Sequence, residues 1–482
     1  MFDLTIRNGR VSTSVETFYA DIGVKDGKIA AIAAALPRGT QDIDAQGQWV
    51  LPGGVDSHCH VEQLSGMGVM TADDFYSASV SAAFGGTTTI IPFAAQHRGQ
   101  SLLEVVDDYY QRAASKSVID FGFHVILTNP DEATLGAHLR EVIARGITSF
   151  KVFMTYEAMK LTDYQILDVL YVAQQNNALI MLHAENNDII NWLAHRLIDN
   201  GHVAPRFHAV AHDPIAETEA THRALMLASV LNVPVLIVHV SGAQTVELLR
   251  NARLKGIAVY AESCPQYLFL TGDDIDIEGV EGAKYCCSPP PRDIASQEAI
   301  WQGLLDDTLS IYSSDHAPYR FDQTGKLPYG EKTTFKQMAN GVPGIELRLP
   351  LLFSEGVLKG RMSIERFIQL SSTNPAKMYG LYPQKGDLVV GADADIVVWN
   401  PHRKTTITHA QLHDQAGYTP YEGKEIIGWP EVVISRGRLV VDAGSLHVGR
   451  GSGCFIKRAT PDLRDMTLAA DSPRTRLIKK LV

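Results

Sequence analysis

Residues that could hold a metal ion stand at the ends of five apolar segments of this sequence. The first segment, 48–56, is followed by His58 and His60. Side chains alternate along a β-strand, so residues i and i+2 point to the same side and two imidazoles at that spacing can grip one cation. Across the five segments, the residues at these ends are His58, His60, Lys151, His183, His239 and Asp315.

Neutral imidazoles and carboxylates on rigid strand ends are the ligands expected for zinc or a similar divalent ion. Lys151 differs from the others, because an ammonium group repels a metal. Two interpretations of Lys151 remain open from the residues alone. A desolvated amine beside cations has a lowered pKa and can take up carbon dioxide as a carbamate, which is an anion able to bridge two metals. Alternatively, Lys151 is a structural lysine paired with an acidic neighbour.

The elements that must position these residues follow a regular alternation. Continuous apolar strands alternating with amphipathic helices predict a closed parallel (β/α)₈ TIM barrel, whose active site lies at the carboxyl ends of the strands. An open doubly wound sheet is the alternative, but no glycine-rich fingerprint follows an early strand. Strands are predicted near 49–56, 86–93, 118–127, 147–154, 178–183, 233–239, 257–262 and 309–315, and helices at 73–84, 101–114, 133–145, 163–176, 216–231, 243–255 and 295–306.

The two ends of the chain have a different pattern, with short β-rich segments and tight-turn residues. Asp26-Gly27 is a strong hairpin signal. We therefore predict a small β-sandwich built from both termini, residues 1–50 plus 385–455, beside a metal-binding barrel at 51–384. The tail at 456–482 is polar with basic patches. Contact with a surface or a neighbouring subunit and a solvated tail are both consistent with that composition.

Composition limits the class of protein. The chain has 482 residues, a formal net charge of −11 and 45% hydrophobic residues. An acidic chain disfavours nucleic acid and anionic membrane as main partners. We expect no membrane span, no secretory signal and a cytoplasmic location, since five cysteines fit reduced thiols better than a disulfide framework. The adjacent Cys286 and Cys287 are predicted to be buried small hydrophobes.

Eight motifs together resemble the hydantoinase/dihydropyrimidinase branch of the amidohydrolase superfamily, over about residues 3–455. They are GVDSHCH (54–60), TADDF (71–75), AFGGTT (83–88), FKVFM (150–154), HAEN (183–186), HVS (239–241), ESCPQYL (262–268) and SDH (314–316). The resemblance implies two divalent metal ions, most simply zinc. His58, His60 and Asp315 would bind the buried ion and His183 and His239 the exposed one, with Lys151, as N6-carboxylysine, bridging both.

The resemblance also implies a reaction, the opening of a cyclic ureide or imide such as a dihydropyrimidine or hydantoin. A water activated by the metals would attack the ring carbonyl, and Asp315 would accept its proton and deliver it to the leaving nitrogen. Tyr156 would stabilise the oxyanion. Ser288 and Asn340 match positions whose main chain holds the ring, and the family is homotetrameric.

Substrate identity and some alternatives remain open. The loop 62–68 and the segment 96–98 are more polar than is usual in the family, so either they form a solvated rim, or Gln63, Ser65, His97 or Arg98 lines the pocket and favours a polar substituent. An allantoinase-like activity stays open, whereas Glu62-Gln63 disfavours dihydroorotase. A non-enzymatic assembly protein would lack metal, and a mononuclear deaminase would need no Lys151.

Overall fold

The computed structural model describes residues 1–461 together with residues 476 and 480. Its strands are β1 (Leu4–Ser12), β2 (Thr17–Lys25), β3 (Lys28–Ala33), β4 (Gln41–Asp44), β5 (Trp49–Pro52), β6 (Gly54–Asp56), β7 (Thr87–Ile90), β8 (Phe93–Ala95), β9 (Asp120–Phe121), β10 (His124–Ile126), β11 (Ser149–Phe153), β12 (Leu179–His183), β13 (Val235–Ile237), β14 (Val259–Ser263), β15 (Ile311–Tyr312), β16 (Ile396–Thr406), β17 (Glu425–Ser435), β18 (Arg438–Asp442) and β19 (Ser445–Leu446). The α-helices are α1 (Phe75–Phe84), α2 (Leu102–Lys116), α3 (Leu139–Ala144), α4 (Asp163–Gln175), α5 (Asn187–Asp199), α6 (Phe207–Ala211), α7 (Pro214–Leu231), α8 (Ala243–Leu254), α9 (Pro265–Phe269), α10 (Gly272–Ile275), α11 (Ile294–Leu305), α12 (Arg348–Leu352), α13 (Ile364–Ile368) and α14 (Asn374–Met378).

The parallel strands β6 to β15 form the closed barrel that the sequence predicts. They pair in the orders β6-β7-β9 and β8-β10-β11-β12-β13-β14-β15. The second and third barrel strands are each divided into two short segments, β7 with β8 and β9 with β10. A parallel bridge between Cys59 and His316 joins the first strand to the eighth, and the His60 amide donates to the His316 carbonyl at 2.7 Å. This closure excludes the open doubly wound sheet.

The barrel strands are continuously apolar because both of their faces are covered. All five residues of β12 are buried, for example, and the helices pack outside the ring. Helix α4 begins with a capping box: Thr162 caps its first turn, and the Thr162 amide donates to the Gln165 side chain. Since all eight strands run the same way, their carboxyl ends meet at one rim.

The two ends of the chain share a separate nine-stranded sheet, in the order β19-β18-β17-β16-β5-β1-β2-β3 with β4 beside β1. The antiparallel pair β5–β16 joins the N-terminal strands to the C-terminal ones. Its own apolar cluster draws on both ends, including Leu4, Ile22, Ile396 and Ile434. The predicted hairpin between β2 and β3 is present, with positive φ angles of 52° at Asp26 and 75° at Gly27. The domain limits stay a prediction.

Two residues at the start of the predicted C-terminal tail, Ile456 and Arg458, are buried, which the sequence did not lead us to expect. Phe455, the residue just before the tail, bridges to Phe121, and the Arg458 side chain lies under the barrel at 4% exposure. Arg458 donates to Ser149 Oγ at 2.8 Å and to the Phe123 carbonyl, so two of its guanidinium nitrogens are paired inside the protein. The expectation for this tail is therefore wrong at Arg458, and most of the remaining tail falls outside the described residues.

Two further expectations concern cysteines and membranes. Cys286 and Cys287 are both buried, as predicted. Within the described part of the chain, no helix combines the length and apolar character that a bilayer crossing requires.

Candidate metal centre and substrate cavity

The structure brings the six predicted metal-binding residues together at the carboxyl rim of the barrel. Lys151 is the central residue of β11, and His183 ends β12. The remaining four follow their strands directly: His58, His60, His239 and Asp315. Most of these side chains are almost wholly buried, so they face one another and not bulk solvent.

His58, His60 and Asp315 form the tightest group. Their donor atoms all lie within 4.8 Å of one another. Asp315 Oδ1 is 3.0 Å from His58 Nε2 and 3.4 Å from His60 Nε2. Asp315 has a φ of 46°, a strained backbone conformation that aims its carboxylate back at the two imidazoles.

Lys151 lies between this group and the second pair of imidazoles. Its Nζ is 2.9 Å from His58 Nε2 and lies over the Phe93 and Phe153 rings. On the other side, His239 Nε2 is 2.9 Å from His183 Nδ1. The six donors thus form two adjacent groups with the lysine amine between them.

Acidic and amide side chains orient the imidazoles from behind. Glu262, at the end of β14, makes a short hydrogen bond to His58 Nδ1. Glu185 Oε2 lies 2.7 Å from His183 Nε2, and Gln63 Oε1 lies 2.8 Å from His60 Nδ1. Such partners fix the ring orientation and tautomer of a ligating histidine and raise its basicity.

Burial governs the charges of the centre. It lowers the pKa of the Lys151 ammonium to about 8, so a neutral amine is accessible near neutral pH. Burial also lowers the pKa of His239 well below its ordinary value. For Asp315 burial acts to raise the pKa, but His58 and His60 outweigh it and hold that pKa well below its usual range. His58 differs from His239, because Glu262 and Asp315 raise its pKa despite its burial.

This donor set fits a pair of divalent cations. Among the described residues Lys151 has no carboxylate within ion-pair distance, so the structural alternative of a lysine–acid pair lacks its acid. The buried His239 Nδ1 has no protein partner. Four imidazoles, one carboxylate and one amine of lowered pKa lie in two adjacent groups, and a further carboxylate stands behind two of the imidazoles.

A cavity of about 330 Å³ opens above these residues. His60, Lys151, His183, His239 and Asp315 form part of its lining, and the other walls include Met67, Phe153, Met159, Cys287, Ala317 and Tyr319. Its walls are mainly apolar with a few convergent polar groups, which is typical of a small-molecule site.

Tyr156, Ser288 and Asn340 meet on one wall of this cavity. The Tyr156 ring packs 5.4 Å from the His183 ring, and its hydroxyl interacts with the Ser288 and Asn340 side chains. Burial raises the pKa of Tyr156, and these two bonds offset only part of the rise. The phenol therefore remains an O–H donor at neutral and moderately alkaline pH.

Only part of the two polar segments, 62–68 and 96–98, lines the cavity. Gln63 and Ser65 do line it. His97 and Arg98 do not: His97 is on a different surface cleft, and Arg98 donates to the Glu157 and Lys160 carbonyls. Two of the four proposed lining residues are thus wrong, because the segment 96–98 turns away from the barrel mouth.

Several residues of the site escaped the sequence reasoning. Glu185 stands two residues after His183, and Glu262 is the penultimate residue of the seventh barrel strand, so a search for polar residues near strand ends could have revealed both. His212 gave no such signal. It lies on a segment after α6 and reaches Glu185 Oε1 at 2.8 Å only through the tertiary fold.

Comparison with known proteins agrees with this geometry. The profile of the amidohydrolase family matches residues 49–440. The chain is 41% identical to the D-hydantoinase of Rhizobium radiobacter over 457 residues, covering 95% of this chain and 99% of the relative. It is also 41% identical to the D-hydantoinase of Ralstonia pickettii over 458 residues, again covering 95% of this chain and 99% of the relative.

The fold comparison extends over the same length. The crystal structure of the dihydropyrimidinase from Brevibacillus agri superposes with a TM-score of 0.92 at 38% identity, covering 95% of this chain and 99% of the other. Family profile, sequence identity and fold therefore coincide over nearly the whole chain. The protein belongs to the amidohydrolase family, in its hydantoinase and dihydropyrimidinase branch.

Proposed function

We propose that this protein is a binuclear-metal cyclic amidohydrolase that opens dihydropyrimidines, hydantoins or related cyclic ureides and imides. The observation that carries the proposal is the convergence of six donor side chains at one rim of the barrel, where five of them line a single cavity. The names of its relatives, D-hydantoinase and dihydropyrimidinase, give the same class of substrate.

His58, His60 and Asp315 would hold one divalent cation, and His183 and His239 the other. Lys151, carboxylated on Nζ, would be shared between them. When bound, two zinc ions would lower the pKa of a water to about 7 and polarise the substrate carbonyl. The lowered pKa of the Lys151 amine supports its reaction with carbon dioxide.

The residues of the chain then supply proton transfer and orientation. Asp315 is ionised at neutral pH, and its Oδ1 faces the imidazoles. We therefore assign to Oδ2 the role of accepting the proton of the attacking water and delivering it to the leaving ring nitrogen. Tyr156 would donate its hydroxyl proton to the oxygen that becomes negative when the ring carbonyl is attacked.

Main-chain groups at Ser288 and Asn340 would hold the ureide or imide edge of the ring. Both residues line the cavity on the same wall as Tyr156. The wall formed by Met67 and Met159 would face the exocyclic substituent, since it is apolar and adaptable. Of the four polar residues considered for this role, Gln63, Ser65, His97 and Arg98, the first two line the cavity and could contact the substituent.

The test combines metal analysis with a substrate panel. Purified protein loaded with zinc and bicarbonate should contain two metal ions per chain and hydrolyse dihydrouracil, hydantoin or a cyclic imide. The same panel includes allantoin and dihydroorotate. Preferential hydrolysis of allantoin would indicate the allantoinase-like alternative, and preferential hydrolysis of dihydroorotate would indicate a dihydroorotase. Metal content near zero, with no turnover of any of these compounds, would instead indicate the assembly-protein alternative.

Lys151→Ala is the decisive variant for the shared-ligand assignment. Loss of the bridging group should reduce kcat/KM by at least about 10³-fold, since the shared metal site would be disrupted. Lys160→Ala, a lysine at the rim with an exposed ion pair, is the matched control and should keep activity. Substantial activity in Lys151→Ala would favour a mononuclear enzyme.

We further propose a homotetramer in the cytoplasm. The buried free cysteines Cys59, Cys264, Cys286 and Cys287 fit a reducing compartment. Light scattering on the purified chain tests the assembly: a mass of four chains is expected, and a monomer would contradict it.

A further inference from the structure

Lys326 is a fully buried lysine that lies behind the cavity wall. Its Nζ donates to the Cys286 carbonyl at 2.9 Å and to the Ala339 carbonyl at 3.1 Å. Lys326 does not line the substrate cavity. Its ammonium group therefore joins two chain segments without touching the space where a substrate would lie.

The environment of Lys326 is unusual for a buried cation. Lys385, the comparable lysine below the barrel, pairs with the carboxylates of Asp120, Asp393 and Asp395. No carboxylate of the described chain lies within ion-pair distance of Lys326, and burial lowers the pKa of its ammonium to about 8. A buried cation held only by carbonyl dipoles is costly, so a role beyond packing is indicated.

The two carbonyls that Lys326 binds belong to the two segments that would recognise the substrate ring. Cys286 stands two residues before Ser288, and Ala339 stands one residue before Asn340. The segments also touch directly, since the Gly341 amide donates to the Cys286 carbonyl at 3.1 Å. One carbonyl, that of Cys286, thus receives both the lysine and the opposite segment.

Gly341 lies where the segments 286–288 and 339–341 meet, and there is no room for a side chain at this position. Its φ of 151° is a conformation that favours glycine, and a Cβ there would lie 2.5 Å from Ala317 Cβ. On the other side, His208 Nε2 lies 2.8 Å from the Cys287 carbonyl. The segments are held from several directions, and Lys326 is the group that spans both.

We propose that Lys326 is a positioning residue that sets the spacing between segments 286–288 and 339–341, and so controls how tightly the cyclic ureide or imide is held. The inference rests on the proposed function, because it assumes that Ser288 and Asn340 grip the ring. It assigns Lys326 no contact with substrate or metal.

The experiment compares Lys326→Met with wild type, and uses Lys385→Met as the matched control. Methionine keeps most of the side-chain volume but cannot donate to either carbonyl. Steady-state kinetics with dihydrouracil and hydantoin, metal content, and hydrogen–deuterium exchange of peptides covering 284–289 and 338–343 are measured on the zinc-loaded proteins.

In Lys326→Met we expect KM to rise at least about tenfold with kcat changed less than about threefold, because ring-holding contacts act in ground state and transition state alike. Metal content should stay at the wild-type level, and both peptides should exchange faster. In Lys385→Met the fold should lose stability, but KM and the exchange of these two peptides should not change.

An unchanged KM together with wild-type exchange in both segments would overturn the proposal. If Lys326→Met does not fold, Lys326→Gln keeps an amide NH2 group that can donate to a carbonyl and should give a smaller rise in KM. An unchanged KM in that variant overturns the proposal equally. Failure of the proposed function is a separate result: wild type would then turn over no ring compound, while the exchange comparison would still test the link between the segments.

Discussion

At the scale of single residues, the centre depends on acidic groups that never touch the proposed metals. The Glu262 carboxylate holds His58 from behind, and Glu185 holds His183. Both glutamates are fully buried, so their charges act in a low-dielectric setting where they strongly favour one imidazole tautomer. The affinity of the site for zinc should therefore depend on these two glutamates.

We predict that Glu262→Gln weakens zinc binding by about 10- to 100-fold, because the amide keeps the shape but loses the charge that raises the basicity of His58. Zinc transfer to a chelator of known affinity measures the effect. Glu346→Gln makes the same change at another His–Glu pair, in which a buried Glu346 contacts a half-buried His413, and should bind zinc as wild type does. Equal affinities in both variants would contradict the assigned role of Glu262.

Tyr156→Phe tests the oxyanion donor. Phenylalanine keeps the packing against His183 but removes the hydroxyl, so kcat should fall about 10²-fold with a much smaller change in KM. Because burial raises the pKa of Tyr156, its ionisation should not shape the pH profile of wild type below about pH 10. Tyr319→Phe, in the same cavity, should retain most of the activity, and a comparable loss there would count against Tyr156 as the specific donor.

Much of the candidate site could be predicted from sequence, and the reason is geometric. Strand-end positions repeat around a barrel, so His58, His183, His239 and Asp315 were identifiable from apolar segments that end in a ligand-forming residue. Groups that lie on irregular segments behind the site carry no such periodic signal. Lys326 is the plainest example, since its two partners are backbone carbonyls that any residue could supply.

At the scale of elements, a buried charge network fastens the barrel to the sheet of the chain ends. Lys385 Nζ lies 2.6 Å from Asp120 Oδ2, at β9, and 2.7 Å from Asp395 Oδ2, next to β16. Asp393 completes the set at 3.1 Å. The carboxylates raise the pKa of Lys385 despite its burial, so the side chain is a cation at neutral pH.

Lys385→Met should lower the free energy of unfolding by about 3–5 kcal/mol, since three buried carboxylates would lose their shared cation. Chemical denaturation monitored by fluorescence and circular dichroism measures it. Lys28→Met removes a more exposed partner of Asp393 and should cost less than about 1 kcal/mol. A loss at Lys385 no larger than that at Lys28 would contradict the fastening role.

Element positions followed from the sequence because each strand and helix carries its own hydrophobic period. The limits of α4 and β12, for example, lie within one residue of prediction. Interruptions were not predicted: the second barrel strand divides between Ile90 and Phe93, where Pro92 lacks an amide for the ladder. The buried position of Arg458 was also missed, because a basic residue is normally exposed and only the tertiary structure supplies its partners.

At the scale of the whole molecule, one buried carboxyl should govern part of the pH dependence of stability. Burial next to Asp73 raises the pKa of Asp414 to about 7, well above its value in an unfolded chain. Below pH 4 the group is protonated in both states and has no effect. As pH rises from 4 to 7, the unfolded chain releases this proton more readily, so stability falls, and the loss is complete above pH 7.

Asp414→Asn should remove that loss. The amide oxygen can still accept from the Ala416 amide, so the variant should match wild type near pH 4 and exceed it at pH 8 by up to about 4 kcal/mol. Unfolding free energies across this range measure the difference. Asp199→Asn, at an exposed helix end, is the control and should follow wild type at every pH. Parallel curves for Asp414→Asn and wild type would refute the assignment.

The antiparallel pairing of β5 with β16 has a consequence for biosynthesis. Val50 pairs with Val398, so this pairing waits for translation of nearly the entire polypeptide. A growing chain can assemble successive strand–helix units as they emerge from the ribosome, while β1 to β5 carry exposed backbone edges that invite association with other chains. The high contact order of this seam should make sheet completion a late, slow event in maturation, sensitive to chaperones and to expression temperature.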